Sequence, residues 1–223
     1  MAEFEGFPRG LPAFLADLAA NNAKPWFDAH RDRYEADWLA PAKGFVAALA
    51  APLADIDPEV QVEPRVNGSI FRINRDVRFS KDKTPYKTTF DMMFWHGEAS
   101  RTSPGFFMRI EADRFGIGAG MHGFTPQQLE KYRAAVLDDA LGKKLEKAIA
   151  KTGEEAGGQH YKRVPRGLPA DHPRADWLRH KALWTYAQRP LMDELFDARA
   201  VKTCADLMRR QQPVLAWLVE AFA

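Results

Sequence analysis

Apolar residues in the first third of the chain recur at steps of three and four, which is the spacing of one helix face. Phe14 and Leu18 are separated in this way, and so are Trp26, His30 and Tyr34. Proline is tolerated in the first turn of a helix, so it can mark where a helix begins. The pattern predicts three helices: residues 12–20, a second from Lys24-Pro25 to about residue 38, and a third from Pro41 to about residue 54.

The middle third changes to short segments rich in Val, Ile, Phe and Met, bounded by turn-forming residues. Such segments are typical of β-strands. Asn67-Gly68 and Ala112-Asp113 are tight-turn signals between neighbouring segments. Consecutive strands joined by tight turns indicate an antiparallel meander. The predicted strands are residues 61–66, 69–74, 88–95, 105–111 and 114–121.

The last third returns to helical spacing. Thr125, Pro126 and Gln128 form a helix-start signature, which predicts a helix to about residue 137. The other predicted elements are a helix near residues 140–151, a loop or edge strand over 154–165, a helix over 170–180 opened by Asp171, a short strand over 181–187, and one or two helices over 192–222 with Pro213 starting the last. Helices, then strands, then helices predict an α+β fold, with one mainly antiparallel sheet in the central third and helices packed on it.

Composition narrows the class of protein. The 223 residues show no linker and predict a single domain over 1–223. No apolar run approaches the roughly 20 residues that span a bilayer, and the first ten residues lack the apolar region of a signal peptide. The single cysteine, Cys204, fits a reducing compartment. We therefore expect a cytoplasmic protein without a membrane partner. Cys204 is expected to be a core residue or an inert surface residue.

Positive charge is concentrated in one place, which we call the basic segment (residues 72–87). It holds six basic residues against two acids, a local +4, whereas the whole chain is +2, so the remainder carries −2. Arginine forks match the geometry of carboxylates and phosphates, and Arg72 is expected on a strand that would aim its guanidinium. The alternative is a solvated loop whose charges pair with one another. The candidate ligand-binding residues are Arg72, Arg75, Arg78, Lys81, Lys83, Tyr86 and Lys87, with Trp26 closing one side.

Catalytic and cofactor signals are weaker. His30, Asp76 and Asp82 are candidate acid–base groups, although a histidine on a partly aromatic face is more often a packed residue. The histidines are scattered and lack metal-ligand spacing, so no metal site is predicted. No nucleotide-binding loop or nucleophile motif is present, and no cofactor is expected. The alternating glycines of residues 116–120 indicate close backbone packing within a strand.

Two long motifs resemble those of the DUF2461 family, a group of uncharacterised bacterial and fungal proteins. They are Asn-Asn-x-Lys-x-Trp-Phe-x-x-His-Arg-x-x-Tyr at 21–34 and Ser-Ile-Phe-Arg-Ile-Asn-Arg-Asp-x-Arg-Phe-Ser-x-Asp-Lys-Thr-Pro-Tyr-Lys at 69–87. Pro-Gly-Phe at 104–106, the glycines of 116–120 and Lys-Arg-Val-Pro-Arg-Gly at 162–167 also match in order. The resemblance covers essentially the whole chain. It implies that the 21–34 and 69–87 stretches belong to one common design, and it supplies no reaction.

The leading hypothesis is therefore a site in the basic segment for a phosphate- or carboxylate-bearing small molecule. One alternative is a hydrolase or transferase that acts on a phosphorylated substrate, with His30, Asp76 or Asp82 as acid–base groups. The other is a nucleic-acid-binding module, in which Phe79 and Tyr86 stack on bases. The near-neutral total charge makes nucleic acid the less favoured partner.

Overall fold

A computed structural model describes residues 4–98 and 102–223 of the protein. The α+β class is confirmed, with six strands in one sheet of order β1-β2-β3-β4-β6-β5. No helix within the described ranges is long and apolar enough to cross a membrane. The helices are α1 (Gly10–Ala20), α2 (Lys24–Ala29), α3 (Arg31–Arg33), α4 (Ala40–Ala54), α5 (Pro126–Leu137), α6 (Asp139–Thr152) and α7 (Ala200–Phe222), and the strands are β1 (Val60–Gln61), β2 (Phe90–His96), β3 (Gly105–Ile110), β4 (Arg114–Met121), β5 (Ala156–Gln159) and β6 (His180–Pro190).

The helices of the first third lie where the pattern predicts them, but their boundaries differ. The second predicted helix is interrupted at His30, whose φ of −119° and ψ of 23° are not helical. Pro41 was expected to begin a separate helix, and this is wrong: a π-helical turn, Tyr34–Leu39, runs directly into α4. Proline has no N–H and its ring collides with the carbonyl four residues earlier, so a widened turn before it lets the helix continue.

The meander of β2, β3 and β4 is confirmed, and Glu111 N–H donates to the Arg114 carbonyl (2.8 Å) across the predicted Ala112-Asp113 turn. The predicted strands 61–66 and 69–74 are wrong beyond Gln61. Only isolated bridges join Val66 to Ile70, Ile70 to Met92 and Asn74 to Tyr86. The turn at Asn67, where φ is 61°, explains this. Asn67 N–H donates to the Ile70 carbonyl (2.9 Å), so these two backbone groups are bonded within the turn and do not pair with a neighbouring strand. Arg72 consequently lies on an extended loop instead of a strand.

The last third contains both confirmed and wrong predictions. The capping box of Thr125 and Gln128 opens α5, residues 154–165 contain edge strand β5, and β6 is longer than predicted. The helix over 170–180 is wrong, since only a 3-10 turn at Trp177–Arg179 forms. Buried Arg174 anchors this stretch instead, donating from Nε to the Val136 carbonyl (2.8 Å). Pro213 lies inside α7 and does not start it.

Contacts within the chain divide the described residues into two compact units. Unit 1 comprises those within Met1–Phe94, Phe107–Ile117 and Gln188–Asp206, and unit 2 those within Trp95–Phe106, Gly118–Ala187 and Leu207–Ala223. This division does not test the prediction of a single domain over 1–223, which stays a prediction.

Each unit has an aromatic core of its own. In unit 1, the ring of Phe90 on β2 lies 5.5 Å from that of Trp38 and 5.7 Å from that of Phe7, measured between centroids. In unit 2, Tyr132 of α5 packs edge-on against Trp217 of α7 at 5.8 Å, and Leu183 of β6 belongs to the same buried cluster. Helices therefore cover a sheet face within both units. This packing removes the large apolar surface of the aromatic side chains from water.

Gly120 on β4 shows why that strand carries glycines. Its φ is +140°, and a Cβ there would lie 2.2 Å from the Leu183 carbonyl oxygen and 2.5 Å from the Trp184 Cα. Only a residue without a side chain permits this approach of β4 to β6. The expectation of close packing is thereby confirmed at Gly120.

We expect Gly120→Ala to lower the free energy of unfolding by about 2–4 kcal/mol, because it adds both overpacking and an unfavourable φ. Urea denaturation measures this. The control is Gly123→Ala, where a Cβ would meet nothing within 4 Å, and it should stay within about 1 kcal/mol of wild type. Equal effects of the two variants would contradict this explanation.

Candidate functional site

The basic segment is a loop closed at its base. Arg75 N–H donates to the Pro85 carbonyl and Lys87 N–H to the Ile73 carbonyl, both at 2.8 Å. These bonds flank the bridge between Asn74 and Tyr86 and bring the two ends of the loop together. The intervening residues 76–84 form its tip. The predicted loop character of the later part is confirmed, whereas the aiming of Arg72 by a strand is not.

The side-chain amide of Asn22 attaches this loop to the helical motif that precedes α2. Its Nδ2 donates to the Tyr86 carbonyl (2.9 Å), and its Oδ1 accepts from Tyr86 N–H (3.0 Å). The Tyr86 ring is buried and stacks on Phe27 with centroids 4.2 Å apart. The structure thus joins the two family-like motifs. Its burial also removes Tyr86 as a stacking surface for bases.

A cavity of about 270 Å³ opens beside the base of the loop. It contains three of the eight predicted ligand-binding residues, namely Arg75, Tyr86 and Lys87. Sequence reasoning missed the uncharged polar members of the lining: Asn22 and Thr84 lie inside the two motifs, and Thr88 and Thr89 directly follow the second. The lining is Asn22, Arg75, Asp82, Thr84, Tyr86, Lys87, Thr88 and Thr89.

Arg75 and Asp82 form the ordered wall of the cavity. Arg75 Nη1 donates to Asp82 Oδ2 (2.6 Å) and to the Thr84 carbonyl (3.0 Å), and it also contacts the Thr84 hydroxyl. Hydrogen bonds from the backbone and hydroxyl of Thr84, and then from Arg75, lower the pKa of Asp82. Asp82 is therefore an ionised acceptor that holds Arg75 in place.

Lys87 differs from the other basic residues of the segment because its ammonium is half-buried and has no carboxylate within 4.0 Å among the described residues. Its Nζ lies 4.8 Å from the centroid of the Phe71 ring. Burial lowers the pKa of Lys87, Asp91 opposes that shift, and the charges of Arg72 and Arg109 add to it. Asp91 is itself occupied by Arg109 Nε (2.6 Å) and the Thr89 hydroxyl (3.0 Å). The positive charge of Lys87 is consequently under-compensated.

The remaining cations of the segment do not line the cavity. Arg78 pairs with Asp76 through Nη2 (2.7 Å), and Lys83 donates to the Val77 carbonyl (2.9 Å). Arg72 and Lys81 are exposed, with no ion pair to any residue in the described ranges. Phe79 is 94% exposed at the loop tip, so it is the accessible ring of the two suggested for base stacking. Nucleic-acid binding stays a prediction.

Of the acid–base candidates, the structure places only Asp82 on the cavity. His30 stacks on Trp26 at 4.1 Å, and its Nδ1 lies 2.7 Å from the Trp26 carbonyl oxygen, so both residues are used in packing. Hydrogen bonds from Arg78 lower the pKa of Asp76. The hydrolase or transferase alternative stays a prediction.

Metal and thiol chemistry gain no candidate from the described part of the chain. It contains no group of three or more His, Cys, Asp or Glu side chains placed to hold a metal ion. Cys204 is fully buried, as expected of a core residue, and burial raises the pKa of its thiol. A thiolate nucleophile is therefore disfavoured at this position.

Comparison with known proteins yields one match. A family model described as "Conserved hypothetical protein (DUF2461)" matches residues 11–217. No curated protein and no solved structure matches the chain. The matched range contains both motifs and every residue that lines the cavity.

We expect Asn22→Ala to lower the free energy of unfolding by about 1–3 kcal/mol, because it strands the partly buried N–H and carbonyl of Tyr86. The neighbouring Asn21→Ala is the matched control. It removes one exposed hydrogen bond to the Asp17 carbonyl and should cost less than about 1 kcal/mol. Chemical denaturation of the two variants side by side tests this, and a cost for Asn22→Ala no greater than that of its neighbour would refute it.

Lys87 is expected to titrate below the ordinary lysine value of 10.5. Arg72→Gln should raise the Lys87 pKa, because removing a nearby positive charge favours the protonated amine. NMR titration of ¹³C-methylated lysines measures both effects. Arg78→Gln is the control, since Arg78 pairs with Asp76 and is not among the charges that shift Lys87. A Lys87 pKa at or above 10.5 would show that the ammonium is already compensated.

Proposed function

We propose that this chain, which belongs to the DUF2461 family of conserved hypothetical proteins, binds a small phosphate- or carboxylate-bearing molecule in the cavity beside its basic segment. One observation carries the proposal: Lys87 lines this cavity, half-buried, without a carboxylate within 4.0 Å among the described residues. A buried charge without a partner is costly, and an anion bound beside it would remove that cost.

The charges around the cavity support an anion. Its lining carries two cations, Arg75 and Lys87, and one carboxylate, Asp82. Asp82 is already engaged by Arg75 and Thr84, so it offers little compensation to Lys87. Arg72 adds a further positive charge that acts on Lys87. The local potential is therefore positive where a ligand would enter.

Hydrogen-bond donors are also available. Arg75 contacts Asp82 and Thr84 through Nη1, and its Nε and Nη2 donate no hydrogen bond to the described residues, so both remain available to a ligand. The Thr88 hydroxyl lines the cavity and has no hydrogen bond to the other described residues. A guanidinium edge, an ammonium and a hydroxyl together match the several acceptor oxygens of a phosphate or carboxylate.

Cavity size restricts the ligand. Pockets for drug-sized molecules span about 300–1,000 Å³, and this cavity of about 270 Å³ lies just below that range. A small metabolite with one or two acidic groups fits such a volume. A sugar phosphate or a short dicarboxylate is the class that we favour.

Isothermal titration of the full chain with inorganic phosphate, a hexose phosphate and a dicarboxylate tests the proposal. Lys87→Met keeps an apolar stem against Phe71 and should weaken any binding at least about tenfold, the cost of one charge-assisted hydrogen bond. Affinity should also fall as pH rises through the Lys87 pKa, since the neutral amine no longer attracts an anion.

The matched control is Lys81→Met, which removes the same charge from an exposed position of the same segment outside the cavity. It should leave affinity within about twofold, because exposed charges act weakly at physiological salt. Equal losses of affinity in the two variants would mean that only the net charge of the segment matters. If none of the three compounds binds, the proposal is wrong.

A further inference from the structure

A second, larger cavity of about 520 Å³ lies within unit 2, where β5, β6 and the residues that follow β4 meet. The side chains that give it chemical character are those of His122, Gln159, His160, Lys181 and Trp184. It shares no residue with the cavity at the basic segment. Its volume is typical of sites for ring-containing ligands.

Two glycines of edge strand β5 lie at this cavity: Gly158 lines it, and Gly157 lies against Trp184, which also lines it. Pairing of β5 with β6 shifts register between Gly157 and Gln159, which is a bulge. A Cβ on Gly157 would lie 2.2 Å from Cζ2 of the Trp184 indole, and one on Gly158 would lie 2.1 Å from the Ala182 carbonyl oxygen. The glycines therefore let the indole lie directly on the strand. Bulges of this kind redirect side chains and occur often beside functional sites.

None of the described residues that line this cavity is acidic. Lys181 Nζ lies 5.2 Å from the Tyr161 ring centroid, and Arg133 Cζ lies 6.0 Å from the same centroid. Neither cation has an ion pair with another residue in the described ranges, and the buried Arg133 Nε has no hydrogen-bond partner there. The Tyr161 ring thus lies beside two cations that have no ion-pair partner among the described residues.

Further positive charge adjoins this group. Lys162, Arg163 and Arg166, from the motif at residues 162–167, directly follow Tyr161 in the chain and are exposed. None of the three forms an ion pair with the described part of the chain. An incoming anion would therefore meet a positive field that no carboxylate of the lining cancels.

The other half of the lining is aromatic. His122 and Trp184 lie 5.8 Å apart between ring centroids, inclined at 49°. Trp184 is only partly buried, so part of its ring is accessible. His160 is exposed next to them and packs edge-on against Tyr161 at 4.9 Å. Flat rings beside an unpaired ammonium suit a ligand that combines a ring with an acidic group.

We propose that this cavity binds a flat aromatic acid, with its ring against the Trp184 indole and its acidic group between Lys181 and His160. The acidic group is a carboxylate or a phosphate ester, since both present oxygens to an ammonium and an imidazole. The glycines of β5 make room for the ring of the ligand, because the Trp184 indole can lie against a strand backbone that carries no side chains there. Lys181 supplies the charge that selects an acid over a neutral compound.

Titration calorimetry of the full chain with 1-naphthoate and adenosine 5′-monophosphate tests this proposal. Adenosine supplies the ring alone, and inorganic phosphate supplies the acid alone. We expect at least one aromatic acid to bind at least about tenfold more tightly than adenosine and phosphate. Binding of naphthoate alone assigns a carboxylate ligand, and binding of the nucleotide alone assigns a phosphate ester.

Two lysine variants locate the binding. Lys181→Gln changes an exposed side chain and should weaken binding at least about tenfold. Lys162→Gln removes the same charge nearby, outside the lining, and should leave binding within about twofold. The proposal is overturned if neither aromatic acid binds at millimolar concentration, if adenosine binds equally well, or if phosphate binds equally well to the Lys87→Met variant. It also fails if Lys181→Gln and Lys162→Gln weaken the affinity for the aromatic acid equally. Loss of binding in Lys87→Met instead would contradict it too, because the ligand would then lie in the first cavity.

Discussion

The paired hydrogen bonds between the Asn22 amide and the backbone of Tyr86 are the constraint on which the basic loop depends. An amide can donate and accept at once, so the Asn22 side chain bonds to the N–H and carbonyl of Tyr86 as a neighbouring strand would. This contact fixes the residue directly before Lys87, and the stack of Tyr86 on Phe27 seals it from water. The positions of Lys87 and Thr88 are therefore determined by a helical motif more than sixty residues earlier in the chain.

The charges of the basic segment divide into two groups once the loop is fixed. Two arginines, Arg75 and Arg78, use the two local acids, Asp82 and Asp76. Those exposed pairs contribute little stability, but they order the loop. The four cations left over are Arg72, Lys81, Lys83 and Lys87. Among these described cations, Lys87 alone lines the cavity, so the excess charge seen in the sequence reaches the cavity at one half-buried ammonium.

Sequence patterns predicted the elements whose signals are local. Thr125 with Gln128, the Ala112-Asp113 turn and the alternating residues of β4 all act through near neighbours, and each was correct. Residues 69–74 failed because alternation alone cannot tell a strand from an extended loop when a preceding turn consumes the backbone groups. Residues 170–180 failed because the buried Arg174 bonds to carbonyls at the end of α5, a tertiary interaction without a local signature.

The same distinction explains what could be foreseen of the two cavities. The basic segment was found because its cations are contiguous, yet contiguity also placed Arg78, Lys81 and Lys83 in the predicted site although they do not line the cavity. Asn22 and the threonines were missed because uncharged donors carry no compositional signal. The unit 2 cavity combines His122, His160 and Lys181, which lie far apart in the sequence, so no single window of sequence contains its lining. A charge that lacks a partner is a property of the fold. Asp82, the carboxylate among the described residues that line the first cavity, is engaged by Arg75 and Thr84, and no acidic residue is among the described residues that line the second. The lack of charge compensation, more than the number of cations, therefore argues for an anionic ligand in each cavity.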